Sequence, residues 1–194
     1  MLPLEPSFGL VNGRPLFLDL YADSYFLLEP PDETDLLNGL RSEESPPGAR
    51  PVSSVRPTDH LQINGQQSLP RPTDLFVIGI TIRKVRRSLA RQPLALVIAS
   101  AQGTMARSAK VKSPRGLANR FAVSRRWLPQ AGNCLADSLA LLAFLKRHGA
   151  SADLIFGAKL DPFAAHCWVQ SGTLLLNDSL DRIEAFTPVA VVRA

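Results

Sequence analysis

The sequence predicts an α+β fold, and three observations carry that prediction. Apolar runs separated by turn residues open the chain, "FGLVNGRPLFLDL" and then "YFLL". A helix with both ends marked, "NCLADSLALLAFLKRHG", lies in the C-terminal half. Three strand-like runs follow it directly, "DLIFGAKL", "AHCWVQ" and "TLLLND". Strands and helices thus come in blocks rather than in strict alternation, which is the order of an α+β chain rather than of repeated βαβ units.

The first element is a hairpin. Asn12-Gly13 stands between two apolar runs, and both residues tolerate the positive φ that a two-residue hairpin turn requires. A third strand is expected at residues 25–28, after the turn-forming "ADS". "PDETDLLNGL" begins with acids and ends near Gly39, consistent with a short helix. Residues 41–74 then change character, being rich in Pro, Ser, Gly and charge and poor in large apolar side chains. They read as linker, so two units are expected, residues 1–70 and residues 71–194.

From Asp74 the pattern turns helical, and Pro93 divides it into two segments. The basic cluster Arg83, Lys84, Arg86, Arg87 and Arg91 reads as the solvated face of a helix, with a patch for an acidic ligand as the sharper alternative. The later helix has Asn133 as its N-cap and Asp137 in its first turn. Lys146, Arg147 and His148 fill its last turn before Gly149 stops it. Leu135, Leu139 and Leu142 give it one apolar stripe, so that face is buried. Ser171-Gly172 is expected to join the last two strands.

Bulk properties narrow the function classes. The 194 residues are 45% hydrophobic and 20% charged, ordinary values for a soluble globular protein. The formal charge of +5 favours acidic partners only mildly. The N-terminus has no basic region followed by an apolar core, and the longest nearly apolar run, 93–101, is far short of the roughly 20 residues a membrane helix needs. A cytoplasmic protein with no membrane association is expected, its two cysteines free thiols. Two Cys and three scattered His offer no metal-ligand spacing, so no metal is expected.

The chemistry gathers at the later helix and the strands after it. Cys134 stands at the helix start, where unpaired N–H groups and the helix dipole favour a thiolate. A nucleophilic thiol needs a base, and the base needs an orienting group. His166 can be the base. A two-residue turn places it opposite Asn177, and a three-residue turn opposite Asp178, so both orienting groups stay open. Neighbours on a strand point to opposite faces, so Cys167 is expected to face away from the site into the core. His60 and His148 have structural explanations.

The blocks "NCLADSLALLAFLKRHG", "ADLIFGAKLDPFAAHCWVQ" and "LLLNDS", in that order, resemble the leader peptidases of lasso-peptide biosynthesis. These belong to the transglutaminase-like branch of papain-type cysteine proteases. The resemblance covers residues 115–194. It implies a Cys134, His166 and Asp178 triad, and with it the three-residue turn, and Gln130 as a second oxyanion donor by looser analogy. "LVNGRPLFLDLYADSYFLL" looks like the opening of the precursor-peptide recognition domain, a small winged-helix-like module that binds a leader peptide as an added strand. By that likeness Tyr25, Phe26, Leu27 and Leu28 form the docking edge. The expected fold is therefore α+β, a small winged-helix-like recognition domain followed by a papain/transglutaminase-like protease domain.

The resemblance implies two partners, the precursor peptide with its leader and an asparagine-synthetase-like cyclase. ATP would be used by that cyclase and not by this chain. Two other classes compete, a peptide-binding module without turnover and a nucleic-acid binder. The second is disfavoured because the first unit lacks a clear recognition helix.

Overall fold

Residues 8–27 form a three-stranded antiparallel sheet in the order β1 (Phe8–Val11), β2 (Arg14–Asp19), β3 (Ser24–Leu27). The computed structural model to which this sheet belongs describes residues 7–41, 51–52, 56–62, 69–102, 113–129 and 133–193. The expected hairpin turn is present, with Asn12 and Gly13 both at positive φ, 52° and 79°. The short helix is α1 (Pro30–Arg41), one turn-defining proline earlier than the acids suggested. The further helices that a winged-helix-like module would place in residues 41–70 are not found among the described residues there.

Part of the expected linker is built into the main sheet. β4 (Asp59–His60) pairs in parallel with a strand near the C-terminus, and Arg115 binds Asp59 by an ion pair. Upstream, Val52 N–H donates to the Phe8 carbonyl at 2.8 Å. Loop-like composition hid this strand because it is two residues long and lies at a sheet edge, where neither apolar alternation nor β-branching is required.

The helical segment begins at Pro72, in the first-turn position where proline's missing N–H costs nothing. It gives α2 (Pro72–Leu89) and, after Pro93, α3 (Leu94–Ala101). A fourth helix, α4 (Pro114–Arg125), was missed from the sequence although Ser113-Pro114 marks its start. Arg120 of α4 grips the buried Asp74 of α2 with two bonds, 2.7 and 2.9 Å. Removing Arg120 costs at most about 3–5 kcal/mol, because the Asp74 charge stays buried.

The central helix is α5 (Cys134–Arg147). It packs against β5 (Asp153–Lys159) and β6 (Ala164–Ser171), with α2, α3 and α4 on its other sides. The second sheet has the order β4-β7-β6-β5-β8, with β7 (Leu174–Leu175) and β8 (Thr187–Val192). Leu154, Phe156, Cys167 and Val169 face α5, where Leu139, Leu142 and Leu145 are fully buried. Each such side chain contributes about 1.5–3 kcal/mol relative to exposure. The opposite face carries Ile155, Trp168 and Leu175, covered by the short α6 (Leu180–Ile183) and Phe186. The first sheet joins this body, since Val11, Leu16, Leu18 and Leu20 belong to the same apolar cluster as the α5 face. No helix among the described residues is long and apolar enough to cross a membrane.

Candidate active site

Cys134 is the first residue of α5, placed there by its cap. Asn133 has extended backbone, and its Oδ1 accepts from the Ala136 N–H at 3.0 Å. Such a cap is worth about 1 kcal/mol. The Cys134 N–H has no acceptor among the described residues, as expected of a first-turn donor, and it is free to bind an oxyanion.

The Cys134 thiol is held at about 4, against an ordinary 9.0. The Cys167 thiol beside it is the largest cause and the His166 ring the next, while burial opposes both. The Cys167 backbone N–H adds to the stabilisation. A helix N-terminus contributes at most about 2 kcal/mol, and one pH unit is about 1.36 kcal/mol. The helix end therefore supplies a minor share, and the specific partners supply the rest.

His166 is raised from 6.5 to about 9, first by its bond to Asp178, then by Cys134, against the opposing effect of burial. Its Nε2 is bonded to Asp178 Oδ2, and both side chains are below one-tenth exposed. Asp178 is pushed up by burial. It nevertheless stays below the usual carboxylate value, because His166, the Ser179 N–H at 2.9 Å and the more distant Arg182 outweigh that effect. The His166 ring rests against Phe186, with centroids 5.2 Å apart, and lies near Trp168. Across the ladder stands Gly157, where a Cβ would lie 2.7 Å from the Trp168 ring, so only glycine lets that aromatic wall form.

The site is built on an open strand edge rather than on a strand face. Neither turn weighed from the sequence is formed. Gln170 pairs with Leu175 and Ser171 with Leu174, which leaves Gly172-Thr173 as the turn. The three-residue turn is therefore corrected, although Asp178 still reaches His166. After the Leu176 N–H bonds the Val169 carbonyl, the chain peels away from β6, and side chains occupy the vacated ladder positions. Asn177 Oδ1 accepts from the Val169 N–H at 2.8 Å, and Ser138 Oγ donates to the Cys167 carbonyl at 3.3 Å. Asn177 Nδ2 donates to that same Ser138 oxygen at 2.8 Å. Asn177 is thus a splint between β6 and α5, and of the two candidate orienting groups it is Asp178 that bonds the imidazole.

This edge geometry corrects the reading of Cys167. Strand alternation does put Cys167 on the α5 face and His166 on the other, and Cys167 is buried in the core cluster. Cys134, however, lies on that same α5 side and at the open edge, so it meets both neighbours. Burial and the adjacent Cys134 push the Cys167 thiol well up, the Cys134 contact being the larger cause.

These residues line a cleft of about 590 Å³, with Phe121, Arg126 and Arg182 also on its walls. A larger cavity of about 730 Å³ between β1 and α6 contains no cysteine or histidine. Sequence reasoning missed Arg125, whose Nε donates to Asp137 Oδ1 at 3.0 Å while NH1 donates to the Leu128 and Pro129 carbonyls. That guanidinium ties the approach to Cys134 to the first turn of α5. Asp137, read as a dipole partner, was the available signal. Gln130 lies outside the described residues.

The four docking-edge residues separate. Tyr25 and Leu27 pack toward the core, Phe26 stacks on Phe17 at 5.2 Å and is 43% exposed, and Leu28 packs beside Phe8 and Leu36 just beyond β3. β3 is bonded to β2 only, among the described residues, so its outer edge is available. Tyr25 meets Phe163 edge-on at 5.6 Å and feels the charge of Cys134, which links this strand to the cleft. Burial is the first cause that raises its hydroxyl pKa. No group of three His, Cys, Asp or Glu that could hold a metal occurs among the described residues.

No curated protein and no solved structure matches the chain significantly. A family model described as the Transglutaminase-like superfamily matches residues 76–191. That segment runs from α2 to β8, holds Cys134, His166 and Asp178, and covers more than half the chain. The chain therefore belongs to the transglutaminase-like superfamily, a group of cysteine protease and transglutaminase type.

Proposed function

We propose that this chain is the leader peptidase of a lasso-peptide pathway, cutting a ribosomally made precursor between leader and core. The observation that carries the reading is a capped-helix thiol beside a histidine that a buried carboxylate orients, at the floor of a cleft. The outer edge of β3 offers the leader main-chain bonding partners, and its Tyr25 reaches toward the cleft.

At neutral pH the resting pair is a Cys134 thiolate and a His166 imidazolium. The thiolate attacks the scissile carbonyl while the Cys134 N–H receives the developing oxyanion. His166, steadied by Asp178, gives its proton to the leaving amine, and the core departs with a free amino group. The leader remains as a thioester on Cys134. His166, now neutral, takes a proton from water, whose oxygen attacks the thioester and releases the leader as a carboxylate. The freed amine passes to an ATP-dependent cyclase, which joins it to an Asp or Glu side chain of the core.

The test is the purified chain incubated with its precursor peptide and followed by mass spectrometry. The native protein releases leader and core, and Cys134→Ala releases neither. Trimming by Cys134→Ala would show that the protease assignment is wrong. Retained leader binding without turnover by the native protein would favour a non-catalytic peptide-binding module.

A further inference from the structure

The basic cluster on the second half of α2 and just after it is left over by the proposed chemistry. The chain has 22 Lys and Arg against 17 Asp and Glu, and this cluster holds five of the basic residues, so the other 17 are balanced by the acids. Arg83, Lys84, Arg86, Arg87 and Arg91 thus account for the whole formal charge of +5. Among the described residues, Arg83, Lys84, Arg87 and Arg91 make no ion pair. A solvated helix face is usually laced with opposite charges, whereas this one is of a single sign.

The cluster also borders a groove. Gly79, Ile82, Leu128 and Pro129 line a depression of about 390 Å³, with Arg83, Arg86 and Arg87 around it. Gly79 opens it, since a Cβ there would approach nothing closer than Leu128 at 3.6 Å. On the same stripe of α2 as Arg83 and Arg87, one and two turns before Arg83, stand Ile80 at 38% exposure and Phe76 at 70%. Large apolar side chains held in water beside an apolar groove with a cationic rim mark an interaction surface.

We infer that the α2 groove docks an acidic segment of a partner protein, one that carries a large apolar anchor flanked by Asp or Glu. The anchor enters between Gly79, Ile82 and Leu128, and the flanking carboxylates meet Arg83 and Arg87. Charge complementarity selects the partner and speeds its approach, while the apolar floor sets how long it stays. A single-stranded nucleic acid would use the arginines and stack a base on Phe76, but it would leave the aliphatic floor and Ile80 unused. A protein segment uses all of them.

The test uses the full chain and a fluorescein-labelled synthetic peptide with Leu and Phe at helical spacing flanked by Glu. Binding is followed by fluorescence anisotropy. The peptide binds with salt-dependent affinity, and its counterpart with Lys in place of every Glu does not. Replacing Arg83 and Arg87 together by Glu weakens binding by about tenfold or more, the product of two modest charge contacts. Gly79→Leu fills the groove without altering charge and weakens binding by a similar factor. Thermal melting confirms that each variant is folded, and Phe76→Ser with Ile80→Ser replaces Gly79→Leu if that variant is not. Equal binding of the peptide by the native chain and a folded groove variant would overturn the inference. So would tighter binding of a single-stranded oligonucleotide or of phosphatidylserine vesicles than of the peptide.

Discussion

Cys134 and Cys167 lie side by side and are held in opposite states. One is a thiolate at neutral pH, kept at about 4, and the other is pushed well above its ordinary value. Their residue type is the same and their separation is a single contact, so the difference comes from what else each one touches. Cys134 has the start of α5, the His166 ring and the Cys167 N–H. Cys167 has the apolar face of β6, and the largest influence on it is Cys134 itself. A second negative charge there would be both buried and beside a like charge, the two effects that most disfavour ionisation. The comparison teaches that the nucleophile is chosen by the partners that meet it at the strand edge, with a minor share from the helix end, and not by adjacency to histidine in the sequence.

The largest effect should come from removing what divides the two thiols. His166→Ala takes away the cationic partner and the proton donor together, so turnover of the precursor should fall by about 10³-fold or more, the scale at which general acid–base groups and triad members act. In the same variant the Cys134 thiol should titrate nearer its ordinary range. The pH dependence of its alkylation by iodoacetamide reads that directly. Unchanged alkylation at acidic pH would mean that Cys167 and the helix end suffice, and would remove His166 from the account.

The next effect is a pH window in the native protein. Cys134 has a lowered value and is active when deprotonated, so activity should rise as pH climbs through about 4. His166 has a raised value and acts from its protonated form, so activity should fall as pH passes about 9. The two groups are coupled, and kcat/KM would report the limits of the pair rather than of either residue. A profile with its acidic limit near the ordinary 9.0 of a thiol would contradict the ion pair.

The parts of the site written in local chemistry were legible in the sequence. Asn133 and Gly149 marked the ends of α5, and that placed Cys134 at a dipole terminus. The Asn12-Gly13 hairpin was legible for the same reason, because turn chemistry depends on a few neighbouring residues. What was not legible is non-local. The register after β6 hangs on Asn177 and Ser138 filling ladder positions that β7 abandons, and no period in "TLLLNDS" signals it. The bond between His166 and Asp178 came from family resemblance, since counting residues around a turn gave two answers and the chain adopts neither. β4 was lost in a linker-like stretch, and α4 in one where the apolar stripe of Leu117 and Phe121 is interrupted by arginines that pair elsewhere.

Cys167→Ala is the smallest expected effect and the sharpest test of the comparison. Strand alternation alone predicts no consequence, because a residue facing the core should not sense the site. The contact with Cys134 predicts one. Losing the thiol removes the largest single influence that lowers the Cys134 pKa, while the position-167 backbone N–H and His166 remain. The alkylation profile of Cys134 should therefore move to higher pH, and kcat at neutral pH should fall by less than about tenfold, since His166 still holds most of the thiol ionised. The small cavity left beside Val169 and Phe156 should cost about 1 kcal/mol of stability, readable as a lower Tm. A variant with the native alkylation profile would restore the view that Cys167 only fills the core. A variant without any turnover would instead make it a partner in the chemistry.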